Sequence, residues 1–430
     1  MILNLPWHRR YCHGMALVRD HLDWIDGQAD AMADLLAEWV GISSGTEHLP
    51  GLERMLETLT DHFDPLADEL RHLELPPRPV VDDAGRVVHQ PLGKALWLRR
   101  RAEAAHRVLL NIHMDTVFGP DDPFNSAQRP APDRMLGPGA ADGKGGLVVM
   151  LTALQALEQS EVAHHLGYEV LINPDEELGS PGSLPLLADC ARRCDLGLVF
   201  EPALEDGAMV SQRKGSGGFV LVVRGRSAHA GRNPDDGRNA VTALARAIAA
   251  LDALNGELPG LTVNVGRVVG GSAVNMVPGL ALCRFNVRYA DPAHERRLRQ
   301  RLAEIVQQVE QRDGVEVELH GEFAAPPKLL DGPTALLMDH VAAVGRELDV
   351  PITWRSTGGV SDGNRLAAAG LANLDTMGPR GGELHSDREF VLLDSLPERA
   401  KLTAGLLVNL AAGSLAWPGE SAADATRGAG

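Results

Sequence analysis

Apolar runs alternate with helical stripes along this chain, and several of the runs stop abruptly at polar residues. Val108-Leu-Leu-Asn-Ile112 is followed at once by His113-Met-Asp115 and, soon after, by Gly119. Short continuous apolar runs of this kind read as buried strands. The pattern predicts strands over Ala95–Arg101, His106–Ile112, Tyr168–Asn173, Asp195–Phe200 and Leu371–Thr376, with a short one over Ile352–Trp354. Helical stripes cover 28–40, 51–70, 334–348 and 397–411, and Leu147, Val148, Met150, Leu151, Leu154 and Leu157 recur at helical spacing. Proline-rich 75–91 reads as turns, and Gly358-Gly-Val-Ser-Asp362-Gly-Asn364 as a glycine loop. Strands interleaved with helices predict an α/β fold.

The order changes between residues 215 and 325. There the pattern gives strand (218–224), helix (238–254), strand (261–269), strand (280–289), helix (292–311) and strand (315–320). This β-α-β-β-α-β order is that of a ferredoxin-like module. Arg213-Lys214-Gly215-Ser-Gly-Gly before it and Ala324-Ala-Pro326-Pro327 after it have the composition of hinges. The expected organisation is an outer domain built from 1–214 and 326–412, interrupted by an inserted domain over 215–325. A chain of 430 residues exceeds the usual single core, which agrees with two domains. The Ala/Gly/Ser-rich stretch 413–430 is expected to be a disordered tail.

Composition narrows the function by exclusion. A net charge of −17 disfavours nucleic acid and anionic membrane surfaces as partners. No apolar stretch approaches the roughly 18 residues of a membrane span, and Met1–Arg10 lacks the apolar core of a signal peptide. Four cysteines are too few for a disulfide framework in a chain of this length, and Cys190 and Cys194 read as buried thiols. A reduced, cytoplasmic protein is expected.

The chemistry lies where the runs end. His113 and Asp115 follow one strand; Asp175-Glu176-Glu177 and Glu201 follow two others. Asp142 stands in Leu136-Gly-Pro-Gly-Ala-Ala-Asp142-Gly-Lys144-Gly-Gly146, just before a helix, and His385 in a glycine loop after the last strand. Taken singly, each has a plain reading: Asp142 as an N-cap, 175–177 as a solvated acidic loop. The glycine loop fits neither phosphate-binding pattern, since Pro138 and Asp142 occupy required glycine positions. Taken together, residues leaving the carboxyl ends of strands in an open sheet converge on one crevice. Two histidines and several carboxylates make a nitrogen/oxygen donor set suited to Zn²⁺, too large for one four-coordinate ion and suited to a two-metal centre.

The ordered set His113-x-Asp115, Asp142-x-Lys-Gly-Gly, Asp-Glu176-Glu177-x-Gly-Ser, Phe-Glu201-Pro and His385-Ser-Asp resembles the dinuclear-zinc aminoacylase/carboxypeptidase family. That family includes acetylornithine deacetylase, succinyl-diaminopimelate desuccinylase and glutamate carboxypeptidase. The resemblance covers roughly 105–412 and implies a zinc-exopeptidase-like catalytic domain interrupted by a dimerisation or lid domain. It implies two Zn²⁺ per subunit, with Co²⁺ or Mn²⁺ as substitutes. Asp142 would bridge them, His113 and Glu201 would complete one site, and Glu177 and His385 the other. Asp115 would orient His113, and Glu176 would be the general base; spacing alone does not separate Glu176 from Glu177. Ser227-Ala-His229-Ala-Gly, Val274-Asn275-Met-Val-Pro and Asn286-Val-Arg288-Tyr are similar to three family segments. They imply His229 polarising the substrate carbonyl across a homodimer formed through 215–325, and Asn275 and Arg288 holding a small-molecule substrate by its free carboxylate; the resemblance counts Gly359 among the substrate-binding residues as well. In relatives the peptide after the bridging aspartate is cis; Gly143 stands where the carboxypeptidase branch has a second aspartate.

The expected reaction is hydrolysis of an amide or peptide bond beside a free carboxylate, as in glutamate carboxypeptidases. An N-acyl or N-carbamoyl amino-acid amidohydrolase uses the same centre, and a non-catalytic metal-binding dimeric scaffold is the reading from another class.

Overall fold

The His106–His113 strand buries Leu110 and Ile112 on one face and Leu109 on the other, so it needs cover on both sides. In the computed structural model, which describes residues 22–418, it lies inside a six-stranded mixed sheet. The order is Glu69–Leu73, Ala95–Arg100, Leu166–Asn173, His106–His113, Leu196–Val199, Asn373–Leu374. The last four run parallel, and the first two join antiparallel. On one face Leu110, Ile112, Val170 and Leu198 pack in one core with the helices Ala29–Val40, Lys144–Glu158 and Ser395–Ala411. On the other, Leu109, Leu171 and Val199 meet Leu187 of the Leu184–Arg193 helix and Leu366 of the Asp362–Ala368 helix. With both faces apolar, burial alone leaves the register open. Buried polar pairing settles it: the Asn111 side chain donates to Leu171 O and to Asn173 Oδ1, at 3.0 and 3.1 Å. His113 and Asn173 thereby end level with each other.

Gly215–Arg224, Leu280–Tyr289, Glu316–Ala325 and Thr262–Gly270 form a separate antiparallel sheet. The helices Ala240–Asp252 and His294–Asp313 share its separate core, so the inserted domain is ferredoxin-like.

Several expectations need correction. The helix read over 51–70 is Leu49–Phe63: Pro65 has no N–H to continue the ladder, and the chain passes through a short 3-10 turn into the Glu69–Leu73 strand. The turn-like 75–91 contains a hairpin, Arg78–Val81 with Val87–Gln90, whose Val81 packs against Val222 and Leu282 of the inserted domain. The strand read over 352–354 is Trp354–Thr357, parallel to Met209–Arg213. The glycine loop 358–364 starts a helix, Asp362–Ala368. Ser361 caps it by accepting from Gly363 N–H, and the Asn364 side chain accepts from Ser361 N–H. The supposed tail packs in part on the core: Leu415 and Trp417 are buried, and Trp417 stacks on His106 with ring centroids 4.3 Å apart. Residues 419–430, and 1–21 at the other end, lie outside the described residues.

Candidate metal centre

The parallel strands deliver their ends to one edge of the sheet. His113 closes its strand, the turn Glu176–Leu178 follows Asn173, and Glu201 follows Val199 by two residues. Asp142 precedes the Lys144–Glu158 helix, and its peptide with Gly143 is cis. Asp142 joins two groups: His113 Nε2 lies 3.1 Å from its Oδ1, and His385 Nε2 lies 3.3 Å from its Oδ2. Glu201 Oε1 stands 3.9 Å from His113 Nε2, and Glu177 Oε2 stands 3.2 Å from His385 Nε2. In each trio, His113–Asp142–Glu201 and Asp142–Glu177–His385, one donor atom per residue lies within 4.8 Å of the others.

A metal fits this arrangement on an observation independent of resemblance. Glu201 Oε1 is buried without a hydrogen-bond partner. Leaving a buried acceptor unpaired is costly, and a cation would satisfy it. The orientation of one imidazole suits ligation as well, because His113 Nδ1 faces the Asp115 carbonyl at 2.9 Å and leaves Nε2 free to ligate.

Ionisation follows from crowding. Burial, the Asp142 charge and nearby carboxylates push Glu201 up to about 8. Burial, then Glu201 and Asp362, hold Glu176 well above the usual carboxylate range. Burial raises Glu177 as well. Asp142 goes the other way: burial would raise it, but His113 and His385 together hold it low. Burial favours a neutral His113, yet Asp115 and Asp142 keep its pKa well above the ordinary value. Hydrogen bonds to Asp142 and Glu177 carry His385 to about 10. Three crowded glutamates made weak acids beside two imidazoles made strong bases are what a donor set shows when the charge meant for it is a cation.

Asp115 does more than face His113. Its carboxylate oxygen lies 3.4 Å from Nδ1, while it accepts from the Thr46 hydroxyl at 2.7 Å and from the Glu176 and Glu177 N–H groups at 3.2 Å each. One side chain thus sets both the histidine and the turn carrying the two glutamates. That turn separates three carboxylates that read as a solvated run. Asp175 points inward, accepting from Gly182 N–H and the Ser183 hydroxyl, and burial raises it to about 6. Glu177 joins a trio, and Glu176 faces Arg365 Nη1 at 3.9 Å.

Arg288 stands within electrostatic range of Glu176 and Arg365, burial lowers its pKa, and its Nη1 is buried without a partner. Gly359 is exposed, and a Cβ there would come 3.4 Å from Arg213 Nη1. His229 and Asn275 are not brought to the cluster. The His229 ring is exposed and accepts from Gly231 and Arg232 N–H, and Asn275 lies beside exposed Val274 and Met276.

Sequence reasoning missed Thr46, Asp362, Arg365 and Glu389. Glu389 accepts from Ala141 and Asp142 N–H at 3.0 and 3.1 Å, holding the Asp142 backbone. The Ser361–Asn364 cap was the available signal for the helix bearing Asp362 and Arg365. Thr46 and Glu389 carry no local signal, because their partners lie 69 and 248 residues away.

A model of peptidase family M20/M25/M40 matches residues 109–409. Carboxypeptidase G2 from Pseudomonas sp. is 30% identical over 324 residues, spanning 73% of this chain and 76% of that protein. Succinyl-diaminopimelate desuccinylase from Nitrosococcus oceani is 30% identical over 331 residues, 73% of this chain and 85% of that protein. Among solved structures, a dipeptidase from Saccharomyces cerevisiae superposes with a TM-score of 0.72 at 13% identity, covering 92% of this chain and 98% of the other. An M20 family metallo-carboxypeptidase from Sulfolobus solfataricus gives 0.67 at 16% identity, with 88% and 98% covered. These two structures speak for the fold.

Proposed function

The chain belongs to peptidase family M20/M25/M40 and is a metal-dependent hydrolase of C–N bonds, and from that premise we propose a carboxypeptidase-like reaction. The bond cleaved is an amide or peptide next to a free carboxylate, at a centre of two Zn²⁺ per subunit. The observation that carries this reading is Asp142, whose two oxygens face His113 and His385 separately, the disposition of a bridging ligand. His113 and Glu201 would hold one ion, Glu177 and His385 the other. Bound there, the pair supplies Lewis acidity and makes water more acidic.

The remaining work falls to the chain's own groups. Glu176 takes the proton from the attacking water and returns it to the leaving amine; its raised pKa suits a group that must hold that proton. Asp115 keeps the Glu176 backbone and the His113 ring in place. Arg288 has an unpaired guanidinium N–H for the substrate carboxylate; Asn275 and the Gly359 backbone would help to hold the same group. His229 would reach the oxyanion from a second copy of the chain. Val241, Val268, Val274 and Met276 leave apolar surface exposed on the inserted domain, which supports a homodimer through 215–325. Among the described residues no helix is long and apolar enough to cross a membrane. With Cys190, Cys194 and Cys283 free and buried, a cytoplasmic location is part of the proposal.

The test is a metal assay with a panel of acyl- and peptidyl-amino acids, run on the wild type and on Glu176→Ala. The variant should keep both ions and lose turnover; near-normal turnover would sink the reading. Relatives named as desuccinylases favour the N-acyl amidohydrolase as the second reading, and the same panel separates it from the peptidase.

A further inference from the structure

The two segments entering and leaving the inserted domain are joined to each other and to one side chain. Arg213 and Lys328 exchange backbone hydrogen bonds, each 3.0 Å. The Asn364 amide, 1% exposed, donates to Lys214 O at 3.0 Å and to Pro326 O at 2.8 Å, one bond to each hinge. Its own oxygen accepts from Ser361 N–H, so all of its polar atoms are engaged.

Asn364 belongs to the Asp362–Ala368 helix, whose next residue faces the other way. Arg365 donates to Gly179 O and Ser361 O, and its Nη1 lies 3.9 Å from Glu176 Oε1. Asp362 accepts from the Asn173 amide at 2.7 Å and from the Ser180 hydroxyl. Asn173 and Ser180 bracket the turn that carries Glu176 and Glu177. Where the helix starts, Gly363 lies close to the sheet: a Cβ there would come 2.7 Å from Asp375 Oδ2. The helix can therefore pass a displacement along its length, with little room to absorb one.

We propose that Asn364 is a positioning residue, which with Arg365 couples the hinges of the inserted domain to the turn bearing Glu176. The proposal rests on the reading above only in giving that turn its catalytic meaning. Movement of the inserted domain pulls on Lys214 O and Pro326 O together. The helix relays it through Arg365 and Asp362 to the Gly179–Ser180 end of the turn. Domain position and general-base position then change as one, by a route separate from the electrostatic reach of Arg288 to Glu176.

Hydrogen–deuterium exchange on the full chain tests this without a substrate, so its outcome is independent of whether the chain hydrolyses an amide. Asn364→Asp keeps the acceptor and removes both donors. Losing two such bonds should speed exchange by about tenfold at the Arg213 and Lys328 amides. Coupling requires the same change at the Glu176, Glu177, Gly179 and Ser180 amides, with metal content unaltered. Arg365→Lys should speed only the second set and leave the hinge amides protected. Faster exchange confined to the hinge in Asn364→Asp, or no change in either set, overturns the coupling. Should Asn364→Asp fail to fold, Asn364→Ser removes the same donors without adding charge and is judged by the same two sets of amides.

Discussion

The two halves of the centre share Asp142 and differ in how each holds its histidine. His113, Asp142 and Glu201 have side chains 1%, 9% and 11% exposed, whereas His385 in the other trio is 54% exposed. The closed half stands on adjacent strands of the sheet, with His113 ending one and Glu201 following the other. The open half takes its histidine from a loop where Glu383 and His385 both adopt left-handed backbone, φ 55 and 61. Such a conformation costs roughly 1–2 kcal/mol per residue. One half is fixed by the fold before a ligand arrives; the other has a buried glutamate but depends for its histidine on a loop that other contacts must hold. The closed half should therefore bind its ion first and release it last.

The largest expected effect separates the two histidines. His113→Ala removes a proposed ligand from the closed half and should lower turnover by roughly a thousandfold with loss of the tighter ion. His385→Ala should leave about one ion per chain after dialysis, held by the half that the fold builds. Metal analysis of both variants checks this, and equal losses would break the comparison.

Protons sharpen it next. Without metal, the ordering of pKa values keeps His385, at about 10, and Glu201, at about 8, protonated at pH 7. Ligands must shed those protons, and His113 is held above its ordinary value as well, so zinc binding should release at least two per chain at that pH, and affinity should rise with pH. Calorimetry in buffers of different ionisation enthalpy reads the number directly. Release that persists unchanged in His385→Ala would place the protons elsewhere. Smaller again is Asp115→Asn, which keeps the shape but cannot serve two backbone N–H groups, the Thr46 hydroxyl and the His113 ring together. A loss of 10- to 100-fold in metal affinity or activity is expected, typical of a residue behind the ligands.

The same contrast explains what could be read from the sequence. The strand runs and their His, Asp and Glu endings were legible because burial and metal chemistry both restrict residue type, and the β-α-β-β-α-β order of 215–325 followed from periodicity. The hairpin at 78–90 was not. Its prolines and its turn of Asp82, Asp83, Ala84 and Gly85 read as irregular, and its packing partners Val222 and Leu282 lie in another domain. The helix at 362–368 was hidden by three glycines in its approach and first turn. Asp115 was assigned to His113, yet its bonds to Glu176 and Glu177 exist only once two strands lie side by side.

The smallest effect concerns the wall behind the closed half. Asp375, fully buried, receives Arg213 Nε and Nη2, the second at 3.0 Å, and lies 3.8 Å from Lys328 Nζ. Burial alone would raise its pKa, but Arg213 and Lys328 hold it at about 2 against an ordinary 3.8. A carboxyl depressed on folding contributes stability that is complete above its unfolded value and lost as pH falls through the folded one. The contribution is roughly 2 kcal/mol, present above pH 4 and gone near pH 2. Asp375→Asn has no such group to titrate. The stability gap between wild type and variant, measured by urea unfolding, should therefore narrow by about that amount from pH 5 to pH 2. A gap that stays constant would mean that the charge on Asp375 does not brace this wall. The rigidity of the closed half would then come from the packing of the sheet alone.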